Sequence, residues 1–258
     1  MKSSNQSEIR QAFTRQAAGF ESGRMSFSKA DYLSYTVNRI APVKTDTVLE
    51  VAAGTCACGR AIAPYAADVV CLDMTPAMLA VGKAEAEKAG LGNMTFVLGD
   101  AAELPFPDGS FDVVLSRLAF HHFPDAERPF AEMVRVLRPD GRLVLIDMEA
   151  AETPLRETED RIEQMRDASH VRNLSCAEMR ALYERHGLRV ECCEAAHIPV
   201  DLQSWMELTQ TPYPAQKKIR ALLAAEAAGG ERTGFAPYPD GERIKFDQRW
   251  LLLIGKRK

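Results

Sequence analysis

Three short stretches of this 258-residue chain place acidic or small residues at the ends of apolar runs. The first is Val48-Leu-Glu-Val-Ala-Ala-Gly-Thr-Cys-Ala-Cys-Gly59, a strand-like run that enters a turn of small residues. Such a turn lets a ligand approach the backbone closely, and the helix behind it presents N–H groups. The second is Asp73, which follows the run Val69–Leu72 and stands 23 positions beyond Glu50. A carboxylate there can accept from both hydroxyls of a ribose. The third is Gly99-Asp100-Ala101 after Thr95–Leu98, where a carboxylate can accept from an adenine amino group. Each stretch is weak alone. At three successive strand ends they describe a crevice for an adenosine.

Two better-known nucleotide motifs fail at the same place. Gly54-x-x-x-x-Gly59 is followed by Arg60-Ala61, whereas a phosphate-binding loop needs Lys and then Ser or Thr. The dinucleotide fingerprint G-x-G-x-x-G is absent, because Ala52, Gly54 and Ala57 occupy its positions. A turn not organised around pyrophosphate, with Glu50 beside it, suits a ligand carrying an ammonium group. The α-amino group of a methionine is such a ligand.

The elements that must hold these residues read as a parallel sheet covered on both faces. Its strand runs are Val48–Val51, Val69–Leu72, Thr95–Leu98, Val113–Ser116 and Leu143–Asp147, all rich in Val, Leu and Ile. Arg60–Tyr65, Pro76–Lys88 and Glu127–Leu137 read as the intervening helices. Thr75 is placed to cap the second of them, Pro76 suits its first turn and Gly90 its end. Pro139-Asp140-Gly141 reads as a turn into the fifth strand. Right-handed crossovers then give an α/β fold with a doubly wound sheet. Arg189–His197 and Arg249–Gly255 add two strands, which makes a mostly parallel, seven-stranded, Rossmann-like sheet. Ser175-Cys-Ala-Glu178 is a capping box that opens a helix to about His186, ended by Gly187.

The remaining segments are expected to cover the site. Residues 1–46 read as helices carrying Phe13, Phe20, Phe27, Tyr32 and Tyr35. Residues Pro154–His170 and Leu202–Ala228 are helical in pattern, and Gly229–Gly241 reads as a loop. The expected division is a helical lid over 1–46 and one domain over 47–258, with a cofactor-binding half at 47–148. Substrate-side insertions would occupy about 150–240.

Bulk composition limits the partners. Hydrophobic residues make up 46% and charged residues 26%, enough for a sizeable core. A net charge of −4 argues against a dedicated nucleic-acid binder. No apolar run approaches the roughly 20 residues that span a bilayer, so no stable membrane insertion is expected. The polar stretch Met1–Arg10 lacks the apolar centre of a signal peptide, and six cysteines without such a signal point to free thiols in a cytoplasmic protein.

The segments Val48–Gly54, Cys71–Met74, Leu98–Ala101, Leu104–Asp112, Phe120-His-His-Phe123 and Val136–Arg142 together carry a resemblance. Over residues 47–148 the chain resembles class I S-adenosylmethionine-dependent methyltransferases, in the branch of ubiquinone and menaquinone biosynthesis C-methyltransferases. The resemblance implies S-adenosylmethionine as cofactor. It implies that Glu50, Ala52, Gly54 and Thr55 line its methionine part and that Asp73 holds the ribose. Met74 would pack on the adenine, Asp100 with Ala101 would read its edge, and Ser116 with Arg117 would line the methionine side and face the acceptor. Ala52 and Cys56 stand where the family most often has glycine; Ala52 is tolerated there if its backbone dihedrals are ordinary.

Outside that set the residues leave alternatives open. Cys56-x-Cys58 reads either as two small residues packing a turn or as a thiol pair, with packing the plainer reading and no metal expected. Cys192 and Cys193 lie in a strand and should face opposite ways. His121 and His122 could supply a general base, or serve packing at the mouth of the fourth strand. Arg166, His170 and Arg172 are candidates for contact with an acidic substrate group, or else form a solvated loop. Trp205, Met206, Tyr213 and Phe235 are either core or an aromatic wall over an acceptor. Lys256-Arg257-Lys258 is a solvated tail.

The function expected is direct methyl transfer from the sulfonium to a small-molecule acceptor. Alignment of the two reactants alone can be worth roughly 7–11 kcal/mol. A base is needed only if the acceptor is not already nucleophilic, and the acceptor itself and the oligomeric state are not readable. The competing readings are a non-catalytic cofactor-binding scaffold and a nicotinamide-dependent oxidoreductase.

Overall fold

The expected strand runs meet in one sheet in the computed structural model, which describes residues 2–20 and 30–257. Five parallel strands form its body: β1 (Thr47–Val51), β2 (Asp68–Asp73), β3 (Met94–Leu98), β4 (Phe111–Arg117) and β5 (Leu137–Met148). Then come β6 (Leu188–Asp201), the short β7 (Tyr238–Asp240) and β8 (Arg243–Arg257). The order across the sheet is β3-β2-β1-β4-β5-β8-β6, with β7 paired to β8, and β8 runs antiparallel to its neighbours. The chain therefore moves outward from β1 through β2 to β3 and then returns to the other side of β1 as β4. That reversal opens a crevice at the carboxyl ends of β1 and β4.

Alternation along each strand sends side chains into two cores. Leu49, Val51, Leu72 and Val114 point to the face covered by Phe130 and Met133 of α5 (Glu127–Val136) and by Met179 and Tyr183 of α7 (Cys176–Arg185). Val48, Val69 and Val113 point to the other face. There they meet Val37 and Ile40 of α2 (Ala30–Ile40), Cys58 and Ile62 of α3 (Ala57–Ile62), and Leu79 of α4 (Pro76–Lys88). Each such side chain contributes roughly 1.5–3 kcal/mol by leaving water, which is why the doubly apolar runs settle in the sheet's interior. A smaller core joins Ile162 of α6 (Arg156–Arg166) to Trp205 and Met206 of α8 (Leu202–Leu208). It also takes in Ile219 and Leu223 of α9 (Tyr213–Ala227), with Phe235 and Phe246. The N-terminal helix α1 (Lys2–Gln16) continues into one 3-10 turn, Ala17–Gly19. Phe27, one of the aromatics expected in that region, lies outside the described residues.

Several local expectations need correction. The sheet has eight strands, because β7 arises inside the segment expected as a loop and pairs with β8. Pro139-Asp140-Gly141 is not a turn before β5 but a bulge within it. Phe111 pairs with Leu137 and Val113 with Arg142, so the intervening residues of β5 bow outward. Thr75 holds the cap position of α4, yet its side chain makes no capping bond. Other details match: Pro76–Lys88 has the expected bounds, and Gly187 ends α7 with φ +71°. The Ser175–Glu178 capping box is formed in both directions. Among the described residues no helix is long and apolar enough to cross a membrane.

Candidate functional site

The crevice opens into a cavity of about 670 Å³ whose floor is made by the turns after β1, β2, β3 and β4. Phe13, Gln16 and Phe20 from the N-terminus reach over it, as do Val200, Trp205, Arg243 and Trp250 from the C-terminal third. The volume falls in the range of roughly 300–1,000 Å³ typical of cofactor sites.

The turn after β1 is a run of left-handed residues: Ala52 (φ 54°), Gly54 (φ 55°) and Cys56 (φ 59°). Ordinary dihedrals for Ala52 are thus not what the fold adopts. The chain must reverse tightly between β1 and α3, and L-residues in that conformation give up roughly 1–2 kcal/mol each. The shape is enforced from outside: Ala53 N–H donates to the Leu72 carbonyl at 3.0 Å, and Cys56 N–H to the Ala53 carbonyl at 2.8 Å. A Cβ on Gly54 would meet no atom within 4 Å, so this residue presents bare backbone to the cavity.

Asp73 is buried at the end of β2, where one carboxylate oxygen accepts from Gly54 N–H at 2.8 Å and the other from Thr75 N–H at 2.8 Å. Burial raises its pKa, and those backbone donors pull it back. Glu50, also buried, accepts from Gly59 N–H at 2.7 Å and so ties α3 to β1. Gly59 must lack a side chain, since a Cβ would stand 2.8 Å from Glu50 Oε2 and 2.6 Å from Cys71 Sγ. Burial pushes the Glu50 carboxyl up to about 7, against the pull of that N–H and of Arg117. Arg117 is half-buried at the cavity wall with its guanidinium 5.2 Å from the Trp250 ring centre.

A second polar group borders the cavity, where the 3-10 turn Phe120–His122 follows β4. His121 Nδ1 meets Asp147 Oδ1 at 2.6 Å. Asp147 sits near the end of β5, buried, and also accepts from the N–H groups of Ala119 (3.1 Å), Phe120 (2.6 Å) and Met148 (2.7 Å). The His121 charge and hydrogen bond, with the N–H groups of Met148 and Phe120, hold the Asp147 carboxyl below the ordinary range despite burial. Burial works against a charged His121, but the Asp147 charge and hydrogen bond prevail and its pKa is raised. His122 differs: its Nδ1 faces the Ser169 carbonyl at 3.1 Å and Ser169 Oγ at 3.2 Å, while Ser169 Oγ donates to Asp167 at 2.6 Å. Burial, then His121 with its ring centre 4.1 Å away, pushes His122 down to about 3. Both Nδ1 atoms therefore donate, which leaves Nε2 of each ring as an acceptor when the ring is neutral.

Residues 49–145 match the family described as "Methyltransferase domain". YcgJ of Bacillus subtilis strain 168, named an uncharacterized methyltransferase, is 36% identical over 214 residues, which is 82% of this chain and 84% of YcgJ. The chain belongs to the S-adenosylmethionine-dependent methyltransferases. The crystal structure of YcgJ superposes with a TM-score of 0.80 at 32% identity, covering 88% of this chain and 98% of that one. YafE of Escherichia coli K12 is 35% identical over 174 residues, 67% of this chain and 84% of YafE. A demethylmenaquinone methyltransferase of Clavibacter sepedonicus is 36% identical over 120 residues, 46% of this chain and 48% of that protein. S-adenosylmethionine is the methyl donor.

The residues of this methyltransferase fit that donor: bare backbone at Gly54, carboxylates at Glu50 and Asp73, and a cavity of cofactor size. Of the residues singled out in the sequence, Glu50, Ala52, Gly54, Thr55, Asp73, Met74, Asp100, Ala101, Arg117, His121, His122 and Arg166 line the cavity. Ser116 does not. It is fully buried between β1 and β5, because its side chain alternates with that of Arg117. The cluster Arg166, His170 and Arg172 is divided. Arg166 lies over Trp205 and is bonded to Glu163 at 3.1 Å, His170 is turned to Asp160 at 3.0 Å, and Arg172 is exposed and pairs with Glu178 at 2.8 Å. Trp205 both joins the small core and lines the cavity, whereas Met206 and Phe235 are core and Tyr213 is 77% exposed.

Asp147 and Asp167 were not singled out from the sequence. An acid ending the otherwise apolar run Leu143–Asp147 was the available signal for the first. Asp167 lies inside the polar stretch 166–172 read as a substrate cluster or a loop joined by an Asp–Arg pair, but its link to His122 through Ser169 had no sequence signal. Cys56, Cys58 and Cys71 are buried around Glu50, and among the described residues no group of His, Cys, Asp or Glu is arranged to hold a metal.

Proposed function

We propose that the chain methylates a small-molecule acceptor whose nucleophilic atom, a hydroxyl oxygen or an acidic carbon, loses its proton to His121. The observation that carries this reading is the buried 2.6 Å contact with Asp147 that holds His121, which lines the same cavity as Asp73 and Gly54. When bound, the donor supplies an electrophilic methyl group on a sulfonium. The chain's own residues then have to bind, orient, exclude water and accept a proton.

In this reading Asp73 takes the ribose hydroxyls, Glu50 faces the ammonium of the methionine part, and Asp100 with Ala101 meets the adenine. Asp147 keeps the proton on His121 Nδ1, so that Nε2 is the basic atom, and it stabilises the imidazolium once the acceptor proton arrives. A positioned base of this kind is worth roughly 10²–10⁴ in rate. His122, held neutral, orients the acceptor through Nε2 rather than taking its proton. Phe13, Phe20, Trp205 and Trp250 close the cavity against water and favour an acceptor with an apolar or aromatic body. Residues 1–46 and about 150–240 form the cover, over a single catalytic domain in a cytoplasmic setting.

The deciding experiment has two stages. Isothermal titration with S-adenosylmethionine and S-adenosylhomocysteine, with NAD as control, should give stoichiometric binding of the first two alone. Acceptor screening then follows S-adenosylhomocysteine release from a panel of phenols, enols, amines and thiols. Turnover confined to amines and thiols would overturn the role of His121. Binding of the donor with no turnover on any class would favour a scaffold, and binding of NAD instead would favour an oxidoreductase.

A further inference from the structure

We infer that Cys176 and Cys193 form a thiol pair built to close into a disulfide under a peroxide, a modification site separate from the methyl-transfer cavity. Their sulfurs stand 3.7 Å apart, joining the first residue of α7 to the middle of β6. Neither lines the cavity, both are partly exposed, and they share one face of the sheet. Cys192, the neighbour of Cys193, packs on the opposite face and meets Arg39 at 3.1 Å. The pairing is therefore between elements, not between adjacent residues.

Two features suit the pair to oxidation. Cys176 occupies the first position of a ten-residue helix, which sets its sulfur 3.7 Å from that of Cys193 on the neighbouring strand. Arg180, one turn further on and exposed, places its positive charge beside both sulfurs. Burial and the neighbouring Cys176 raise the Cys193 thiol, so Cys193 keeps its proton and acts second. The Cys176 thiolate attacks one oxygen of hydrogen peroxide; the O–O bond breaks, hydroxide leaves and takes up a proton, and a sulfenic acid remains. Cys193 sulfur then attacks Cys176 sulfur, the S–O bond breaks, and water leaves with the Cys193 proton. The two sulfurs lose two electrons, the peroxide gains them, and two waters result. A sulfur–sulfur bond of about 2.05 Å requires the two sulfurs to approach from the present 3.7 Å.

The bond would tie down a segment that serves the cavity. Just before Cys176, the N–H groups of Val171 and Arg172 donate to the His121 carbonyl at 2.9 and 3.3 Å, and Ala150 N–H donates to the Leu174 carbonyl at 3.0 Å. Closing the 176–193 loop should fix that segment's far end.

The test treats the purified full chain with equimolar to tenfold hydrogen peroxide, then alkylates and maps peptides by mass. The expected result is a peptide linked through Cys176 and Cys193, reversed by dithiothreitol, with Cys56, Cys58 and Cys71 alkylated only after denaturation. The melting temperature should rise on the order of 5 °C on oxidation, as a loop of this length would give. Cys176→Ser and Cys193→Ser should each abolish the linked peptide and that rise. Arg180→Met, which leaves both thiols in place, should slow linkage by about tenfold. Over-oxidation of Cys176 without linkage, or linkage to Cys192 instead, would overturn the proposal. So would an Arg180→Met variant that links as fast as the parent together with an unchanged melting temperature.

Discussion

Replacing Asp147 by Asn separates the charge of this residue from its shape, and the outcome can be worked from its four hydrogen bonds. All four partners of the carboxylate are donors: His121 Nδ1 and Met148 N–H on one oxygen, Ala119 and Phe120 N–H on the other. An amide has only one acceptor oxygen, so its NH₂ must face donors on one side. Turned toward Ala119 and Phe120, it strands two backbone N–H groups. Turned toward His121, it strands Met148 N–H and drives the imidazole to the tautomer with its proton on Nε2. Each stranded buried donor costs about 1–3 kcal/mol, and a lost charge-assisted bond about 1.5–3 kcal/mol. Asp147→Asn should therefore lower stability by about 3–5 kcal/mol at pH 7, a fall on the order of 10 °C in melting temperature. Burial would then be opposed only by the charges of Glu163 and Asp167, and the His121 pKa should fall. Urea unfolding measures the first quantity, and long-range ¹H–¹⁵N spectra of the imidazole measure tautomer and pKa, neither needing an acceptor. With an acceptor, turnover should drop by roughly 10²–10⁴ while donor affinity is kept. A stability loss below about 1 kcal/mol, with His121 still protonated on Nδ1 and its pKa still raised, would refute the reasoning.

The same pair fixes a pH window: the Asp147 contribution is present above 3.8 and lost as pH falls through its lowered folded value. The His121 contribution is present below 6.5 and lost as pH rises through its raised folded value, so urea midpoints should sag at both ends and flatten in the Asn variant. Asp73→Ala should weaken S-adenosylhomocysteine binding by roughly 10–100-fold in titration calorimetry, as about two hydrogen bonds are lost. Unchanged affinity would remove Asp73 from the ribose. Because the Glu50 carboxyl is pushed up to about 7, binding of a ligand ammonium should strengthen as pH rises from 6 to 8, and Glu50→Gln should abolish that slope. Ala52→Gly relieves a left-handed alanine and should stabilise the fold by about 0.5–1 kcal/mol in urea unfolding, with donor binding kept.

By itself the sequence determined the doubly wound sheet, its parallel strands and the three strand-end positions that line the cavity. Those are local signals: doubly buried strands must be continuously apolar, and the ends of such strands in this order define the crevice. Position 73 could be assigned to the cavity from spacing alone, and so could the Ser175–Glu178 capping box from four adjacent residues. The bulge in β5 was not legible, because Pro139-Asp140-Gly141 has the composition of a turn and only pairing with Phe111 and Val113 makes it a bulge. Nor was the conformation of Ala52, which is imposed by hydrogen bonds from outside the turn. Tertiary structure alone chose between two adjacent histidines. His121 meets an acid 26 residues away on β5, and His122 meets Ser169, 47 residues away, so one ring is held basic and the other neutral. It also broke up Arg166, His170 and Arg172, which neighbour one another in sequence but turn to three different partners. Local pattern decides which segments become strands and helices. Which side chains meet depends on how those elements pack, and packing is where charge, burial and partner are assigned.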